Sequence, residues 1–254
     1  MTPSRAVLTI VHDEAVFFPI WLRYYSRFFA PEDIYVLDHE TADGSTEGGG
    51  FVRVPVSHEC VDMRWLRDTV QAQQHELIER YDVVLITDVD EIVAPDPTSG
   101  TLGDYIDRFD KRFVNCVGYE LLHQPDEEPP YDPTQPILQQ RHYWFPNFAY
   151  SKPVLAREAM EWHLGFHARM DGEADFDESL HLIHLHRMDY DLCLDRHRLR
   201  HRMDWSERDL AKGRAYQNRI TEIDDFRGWF ARDSCNSLIG IELERIPSHW
   251  SNVV

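Results

Sequence analysis

Short apolar runs and longer amphipathic stretches alternate through the first hundred residues. Ala6 to Val11 (AVLTIV), Ile34 to Leu37 (IYVL) and Val83 to Ile86 (VVLI) are continuous apolar runs rich in β-branched residues, which predicts buried strands. Phe51 to Val56 is a further strand candidate, reached through the flexible turn Gly48 to Gly50. Between the first two strands, Glu14 to Phe29 carries Phe17, Trp21, Tyr25 and Phe28 at spacings of four, four and three, near one face of a helix. Pro19 falls where it can sit in the first turn or kink the helix. Asp62 is placed to cap a second helix, Met63 to Arg80, whose Leu66, Val70, Leu77 and Ile78 fit a 3.6-residue period. Strand, helix and strand with polar residues at the same ends form the βαβ arrangement of a nucleotide-binding α/β sheet.

Beyond residue 97 the pattern changes character. Thr101 with Asp104 reads as a capping box for a short helix through Phe109, and Phe113 to Tyr119 as another strand. Glu120 to Gln140 holds five prolines and reads as a loop with the reach to cover a site. The aromatics from His142 to Tyr150 suit either a platform for sugar rings or half-buried strands. Leu180 to Leu185 alternates as a strand, and from Asp189 onward the chain reads as mostly helical, with capping patterns at Ser206–Asp209 and Thr221–Asp224. The expected organisation is one α/β domain over residues 1–186 and a helical C-terminal extension, 187–254, packed on it.

The polar strand ends carry the candidate chemistry. Val83 to Ile86 runs directly into Asp88, Asp90 and Glu91. If the segment stays extended, Asp88 and Asp90 share one side and Glu91 faces the other. Carboxylates crowded at the end of a buried strand repel one another unless a hard divalent cation, Mn²⁺ or Mg²⁺, lies between them. Downstream, His184 and His186 share one face of an extended segment and His181 takes the opposite face. His186 and His184 are thus candidate metal ligands with Asp88 and Asp90, followed by His167.

Composition narrows the partners. The formal net charge is −19, which argues against a general binder of nucleic acid or of anionic membranes, although peripheral membrane association stays open. Between Arg187 and Arg219, however, nine Arg/Lys outnumber six Asp/Glu, a basic tract able to receive a diphosphate or to form a solvated helix face. Four widely spaced cysteines give neither a zinc knuckle nor a disulfide framework. The N-terminus lacks the pattern of a signal peptide, no run approaches the length of a membrane span, and a cytoplasmic location is the default expectation.

In combination, His12-Asp13-Glu14 after the first strand, Asp38-His39-Glu40-Thr41-Ala42-Asp43-Gly44-Ser45 after the second and Asp88-Val89-Asp90-Glu91 resemble the family-2-like glycosyltransferases. The resemblance covers roughly the first hundred residues and implies the GT-A fold, a Rossmann-like, mostly parallel central sheet flanked by helices. It also implies that the first two loops, with Val11, Asp13, Glu14, Asp38 and Asp43, hold the nucleoside, uridine being favoured. Asp88 then points toward the ribose and Asp90 toward the metal on the donor diphosphate. Asp13 stands where the family pattern often has asparagine.

The expected reaction is metal-dependent hexosyl transfer from a nucleotide-sugar to a glycan or other hydroxyl acceptor, as in bacterial surface glycan synthesis. Lys152, Arg196, Arg198 or Arg200 would add countercharge to the leaving diphosphate. If the reaction inverts the anomeric centre, a carboxylate must take the acceptor's proton, and Glu91, Glu161 and Asp171 are candidates; Asp90 joins this set through its metal. The competing readings are a sugar-phosphate nucleotidyltransferase, a non-catalytic nucleotide-sugar or metal-binding module, and a metal-dependent hydrolase.

Overall fold

The structure is a computed structural model that describes residues 2–170, 172–231 and 242–254. Strand β1 (Arg5–Val11) is central, with Ala6, Val7 and Leu8 sealed from solvent. Helix α1 (Phe17–Tyr25) follows, with Pro19 as its third residue, inside the first turn where no backbone hydrogen bond is lost. Phe17, Trp21 and Tyr25 form the expected buried stripe, while Phe28 lies past the helix end.

The chain continues through β2 (Ile34–His39), β3 (Val52–Val56) and α2 (Met63–Ile78). Asp62 caps α2 as predicted, accepting from the amides of Arg64 and Trp65. Strand β4 (Val83–Ile86) pairs parallel to β1 and is buried at every position. It does not extend through Asp90. Glu91 N–H donates to Asp88 C=O at 3.1 Å, closing a tight turn, and the chain restarts as β5 (Glu91–Pro95). The buried polar tips of α1 secure that turn. Trp21 Nε1 donates to Thr87 Oγ1 at 2.8 Å, while Tyr25 Oη donates to Glu91 C=O and accepts from Val93 N–H. A helix legible as a core stripe therefore also positions the acidic segment.

Helix α3 (Leu102–Asp107) begins with the Thr101–Asp104 capping box, both halves of which form. Strand β6 (Phe113–Leu122) runs further than predicted, into the segment read as loop; of that segment only α4 (Ile137–Gln140) is otherwise regular. Strands β7 (Tyr143–Pro146), β8 (Pro153–Ala156) and β9 (Phe176–Arg187) complete the central sheet. Then come α5 (Tyr190–Arg202), α6 (Glu207–Ala211), α7 (Ile223–Phe230) and the edge strand β10 (Glu244–Arg245). The N-cap position of α7 is Glu222, with no side-chain cap, so the Thr221–Asp224 pattern is not used.

The strands run β10-β7-β6-β8-β4-β1-β2-β3, with β9 beside β6 and β5 beside β9. The pairs β4–β1, β1–β2, β2–β3 and β6–β9 are parallel; β4–β8, β8–β6, β6–β7, β7–β10 and β5–β9 are antiparallel. The sheet is therefore mixed rather than mostly parallel. Helices α1 and α2 carry the crossovers from β1 to β2 and from β3 to β4, which parallel pairing requires, whereas β7 and β8 both run against β6, on either side of it. Pro55 is tolerated because β3 is an edge strand. The C-terminus is not simply a helical extension: β10 adds to β7, and Trp250 joins the main core with α1 and β1 residues.

Candidate active site

Chain order places β1 between β2 and β4, so the sheet's direction of growth reverses at the β1–β4 boundary. Crevices beyond the carboxyl ends of strands at such a switch point are the usual ligand sites of open α/β sheets. A cavity of about 520 Å³ opens there, lined by Val11 at the end of β1, His12 just after it, His39 of β2, and Asp88 to Asp90 after β4. Its other walls carry Glu14, Glu120, Tyr150, Lys152, His167, His184, His186, Arg196 and Arg200.

Strand register assembles the centre of this site. β9 lies between β5 and β6, and its His184 is the register partner of both Glu91 and Glu120. His184 Nδ1 lies 2.9 Å from Glu120 Oε1, and its Nε2 lies 3.4 Å from Asp90 Oδ2. Burial disfavours a charged imidazole, but the flanking Glu120 and Asp90 carboxylates overcome it and push its pKa up to about 9. Tyr150 stacks on the same ring at 3.9 Å between centroids. His186 shares the face of His184 and sets Nδ1 3.5 Å from Asp90 Oδ2; His181 points the opposite way, among Tyr119, Trp144 and Trp250.

Arg196, four residues from Arg200 on α5, closes the cluster. Its guanidinium pairs with Asp90, reaches Glu14 Oε1 at 2.5 Å and donates to His186 Nδ1 at 2.8 Å. Burial resists ionisation of Asp90, yet Arg196 and His184 hold its carboxyl well below the usual range. Burial, reinforced by Arg196 and Arg200, keeps His186 neutral, its pKa well below that of a free imidazole. With Nδ1 accepting from Arg196, the ring proton lies on Nε2, which faces His197 Nε2 at 3.0 Å; His197 Nδ1 in turn donates to Ile220 C=O at 3.1 Å. Burial lowers His197 to about 3 and raises the neighbouring Cys193 thiol.

A second ionic group adjoins the cavity. Lys152 Nζ lies 2.5 Å from Glu91 Oε1 and 2.8 Å from Asp88 Oδ2, and Asp88 N–H donates to Glu91 Oε2 at 2.9 Å. Burial raises the Glu91 carboxyl to about 7 despite the Lys152 charge, with Asp88 adding to the rise.

The donors suit a divalent cation. Ligand atoms of Asp90, His184 and His186 lie within 4.8 Å of one another, and one carboxylate with two imidazoles suits Mn²⁺. Glu120 holds the distal nitrogen of His184, the usual outer-sphere arrangement around a histidine ligand. Entry of a cation requires Arg196 to release Asp90. Asp88, expected in the same ligand set, turns instead toward Lys152, because the tight turn ends the strand that would have aligned it with Asp90.

The loop carboxylates also depart from expectation. Asp13 adopts a left-handed backbone (φ 50°) and accepts from Ala42 and Asp43 N–H. Asp43 accepts from Ala15 N–H, and Asp38 from Thr41 N–H and Thr46 Oγ1 while pairing with Arg53. Asp13 and Asp43 clasp the first two loops together, Asp38 braces the second loop and ties it to β3, and none of the three lines the cavity; Val11 and Glu14 do. Glu14 is engaged by Arg196 and Arg200. Glu161 is exposed and outside the cavity, and Asp171 lies outside the described residues. Arg198 pairs with Asp195 on the exposed face of α5. No residue from 121 to 146 lines the cavity, so the proline-rich loop does not cover it. Arg141 ties that loop elsewhere, donating to Pro129 C=O at 2.9 Å and pairing with Asp189 at 3.2 Å.

No family model matches the chain, and no curated protein does. Among solved structures, the chain is similar to the mannosyltransferase PcManGT from Pyrobaculum calidifontis in complex with GDP-Man and Mn²⁺. The similarity covers 50% of this chain and 37% of that chain, at 15% identity and a TM-score of 0.31. The matched region thus spans little more than a third of that protein. So slight a likeness says nothing of donor, metal or acceptor.

Sequence reasoning missed Glu120, which fell within the segment read as loop, because its partner His184 is 64 residues away and no local pattern marks the pair. It also missed Cys193 and His197. Their four-residue spacing on a helix that starts just after His186 was a usable signal.

Proposed function

We propose that the chain is a glycosyltransferase that moves a sugar from a nucleoside diphosphate to an acceptor hydroxyl. The observation that carries this reading is a single cavity at the β1–β4 switch point with opposed chemistry on its walls: Asp90, His184 and His186 against Arg196, Arg200 and Lys152. The first group suits a divalent cation and the second suits phosphate oxygens. The clasped loops after β1 and β2 form the adjoining rim, which supports a nucleoside seat shaped by Asp13, Asp38 and Asp43 rather than contacted by them.

In this reading Asp90 and His184 hold Mn²⁺ or Mg²⁺, with His186 Nδ1 as a third donor. When bound, the ion acts as a Lewis acid that neutralises charge on the leaving diphosphate. Arg196, freed from Asp90, and Arg200 face the same leaving group. Glu120 fixes the His184 ring, and Tyr150 packs across it. Asp88, whose side chain is 41% exposed at the cavity wall, is the carboxylate best placed to accept the acceptor's proton in an inverting transfer. Among the described residues no helix is long and apolar enough to cross a membrane.

The test is to incubate the protein with Mn²⁺ and a panel of UDP- and GDP-linked sugars and follow release of nucleoside diphosphate. Release that a chelator abolishes and His184→Ala reduces at least about tenfold is the expected result. No release from any donor, together with no Mn²⁺-dependent nucleoside diphosphate binding by calorimetry, would refute the proposal. Pyrophosphate release from a nucleoside triphosphate and a sugar phosphate would reassign the protein as a nucleotidyltransferase.

A further inference from the structure

We infer that His186, Cys193 and His197 form a second, buried metal site of the nitrogen–sulfur type, suited to zinc or a similar soft divalent ion. Ligand atoms of the three side chains lie within 4.8 Å of one another, and all three residues are buried. The two Nε2 atoms are 3.0 Å apart, close to the roughly 3.3 Å separating two imidazole nitrogens on a tetrahedral zinc with bonds of about 2.0 Å. Cys193 and His197 are four residues apart on α5 and therefore project from one helix face, toward the end of β9 that carries His186.

The surroundings are those of a supported metal ligand set. His197 Nδ1 donates to Ile220 C=O at 3.1 Å, which fixes the tautomer that leaves Nε2 available. On the far side of His186, Nδ1 accepts from Arg196 at 2.8 Å and lies 3.5 Å from Asp90 Oδ2, so the carboxylate–histidine arrangement that orients a ligating imidazole forms once Arg196 rotates away. Trp229 packs against both imidazoles and screens them from water. Cys193 and His197 have no part in the proposed sugar transfer and do not line the cavity.

Metal entry replaces one proton at the site. The Cys193 thiol releases its proton to solvent as the metal–sulfur bond forms. The Nε2 proton of His186 moves to Nδ1 and stays on the ring, hydrogen-bonded to Asp90 once Arg196 rotates away. His197 already offers a lone pair. With this site filled, Nδ1 of His186 carries the proton and no longer serves as third donor in the cavity, where a hard cation then rests on Asp90 and His184.

Cobalt(II) added to the metal-free full-length protein tests the inference. One equivalent should produce a thiolate-to-cobalt charge-transfer band in the near ultraviolet. Excess zinc should abolish the band, Cys193→Ala should lack it, and His184→Ala should keep it, which separates this site from the hard-cation site in the cavity. Zinc-edge X-ray absorption of the wild type decides the matter even where a variant fails to fold: one sulfur at about 2.3 Å and two imidazoles are expected. Absence of the band in the wild type, its persistence in Cys193→Ala, or a zinc shell without sulfur would overturn the site.

Discussion

Lys152→Met isolates the energetics of the buried ionic group beside the cavity. Lys152 and Glu91 are 4% and 1% exposed at their side chains, whereas Asp88 is 41% exposed. Removing one partner of a buried pair leaves an uncompensated charge and costs about 3–5 kcal/mol. The half-exposed Asp88 contributes only about 0–1 kcal/mol of that loss. For a domain of this size each kcal/mol lowers Tm by about 2–4 °C, so Tm should fall by roughly 6–20 °C at neutral to mildly alkaline pH. The loss should depend on pH. Burial holds the folded Glu91 carboxyl above its ordinary value of 4.5, and loss of the Lys152 charge raises it further. A carboxyl raised on folding carries no penalty below its unfolded value and a growing one as pH climbs through its folded value. The variant should therefore approach the wild type on acidification toward pH about 4.5. The double variant Lys152→Met/Glu91→Gln removes both charges and keeps an acceptor for the Asp88 amide; it should regain at least about 2 kcal/mol. Urea unfolding of the two variants and the wild type at two pH values measures each term. A Lys152→Met variant within about 0.5 kcal/mol of the wild type at pH 8, or a double variant no more stable than the single, would refute the account.

Two further substitutions probe how the fold builds the site. Asp38→Ala removes an acceptor used by Thr41, Thr46 and Arg53, so it should cost about 1–3 kcal/mol and weaken nucleoside diphosphate binding by loosening the loop after β2; an unchanged urea midpoint would contradict this. Burial opposes ionisation of Asp38, but these hydrogen bonds outweigh it and hold the carboxyl below its ordinary 3.8, so its stabilisation is present above that pH and is lost as pH falls through the lowered value. Gly118→Ala places a methyl 2.4 Å from Tyr150 carbonyl carbon and 2.6 Å from Asn147 C=O, both backbone atoms that cannot swing aside. It should destabilise by about 3 kcal/mol or more and displace the 147–152 turn from His184, read as a lower Tm and weaker nucleotide binding; a wild-type Tm would contradict the packing.

The features legible in the sequence are those that local chemistry decides. β1, β2 and β4 were readable because strands covered on both faces must be apolar throughout. The Asp62 cap and the Thr101–Asp104 box were readable because capping acts over two or three residues. The shared face of His184 and His186 follows from the two-residue repeat of a strand. The tertiary structure decided what those groups meet. Asp88 and Asp90 part company because α1 side chains, from about 66 residues earlier, hold a turn where an uninterrupted strand was expected. Glu120 meets His184 through the β6–β9 register, and Arg196 reaches Asp90 and Glu14 across separations of 106 and 182 residues. No local period encodes such pairings. They arise from which strands become neighbours and where α5 lies against them, and the competing charges settle only when burial removes the water that would otherwise screen them.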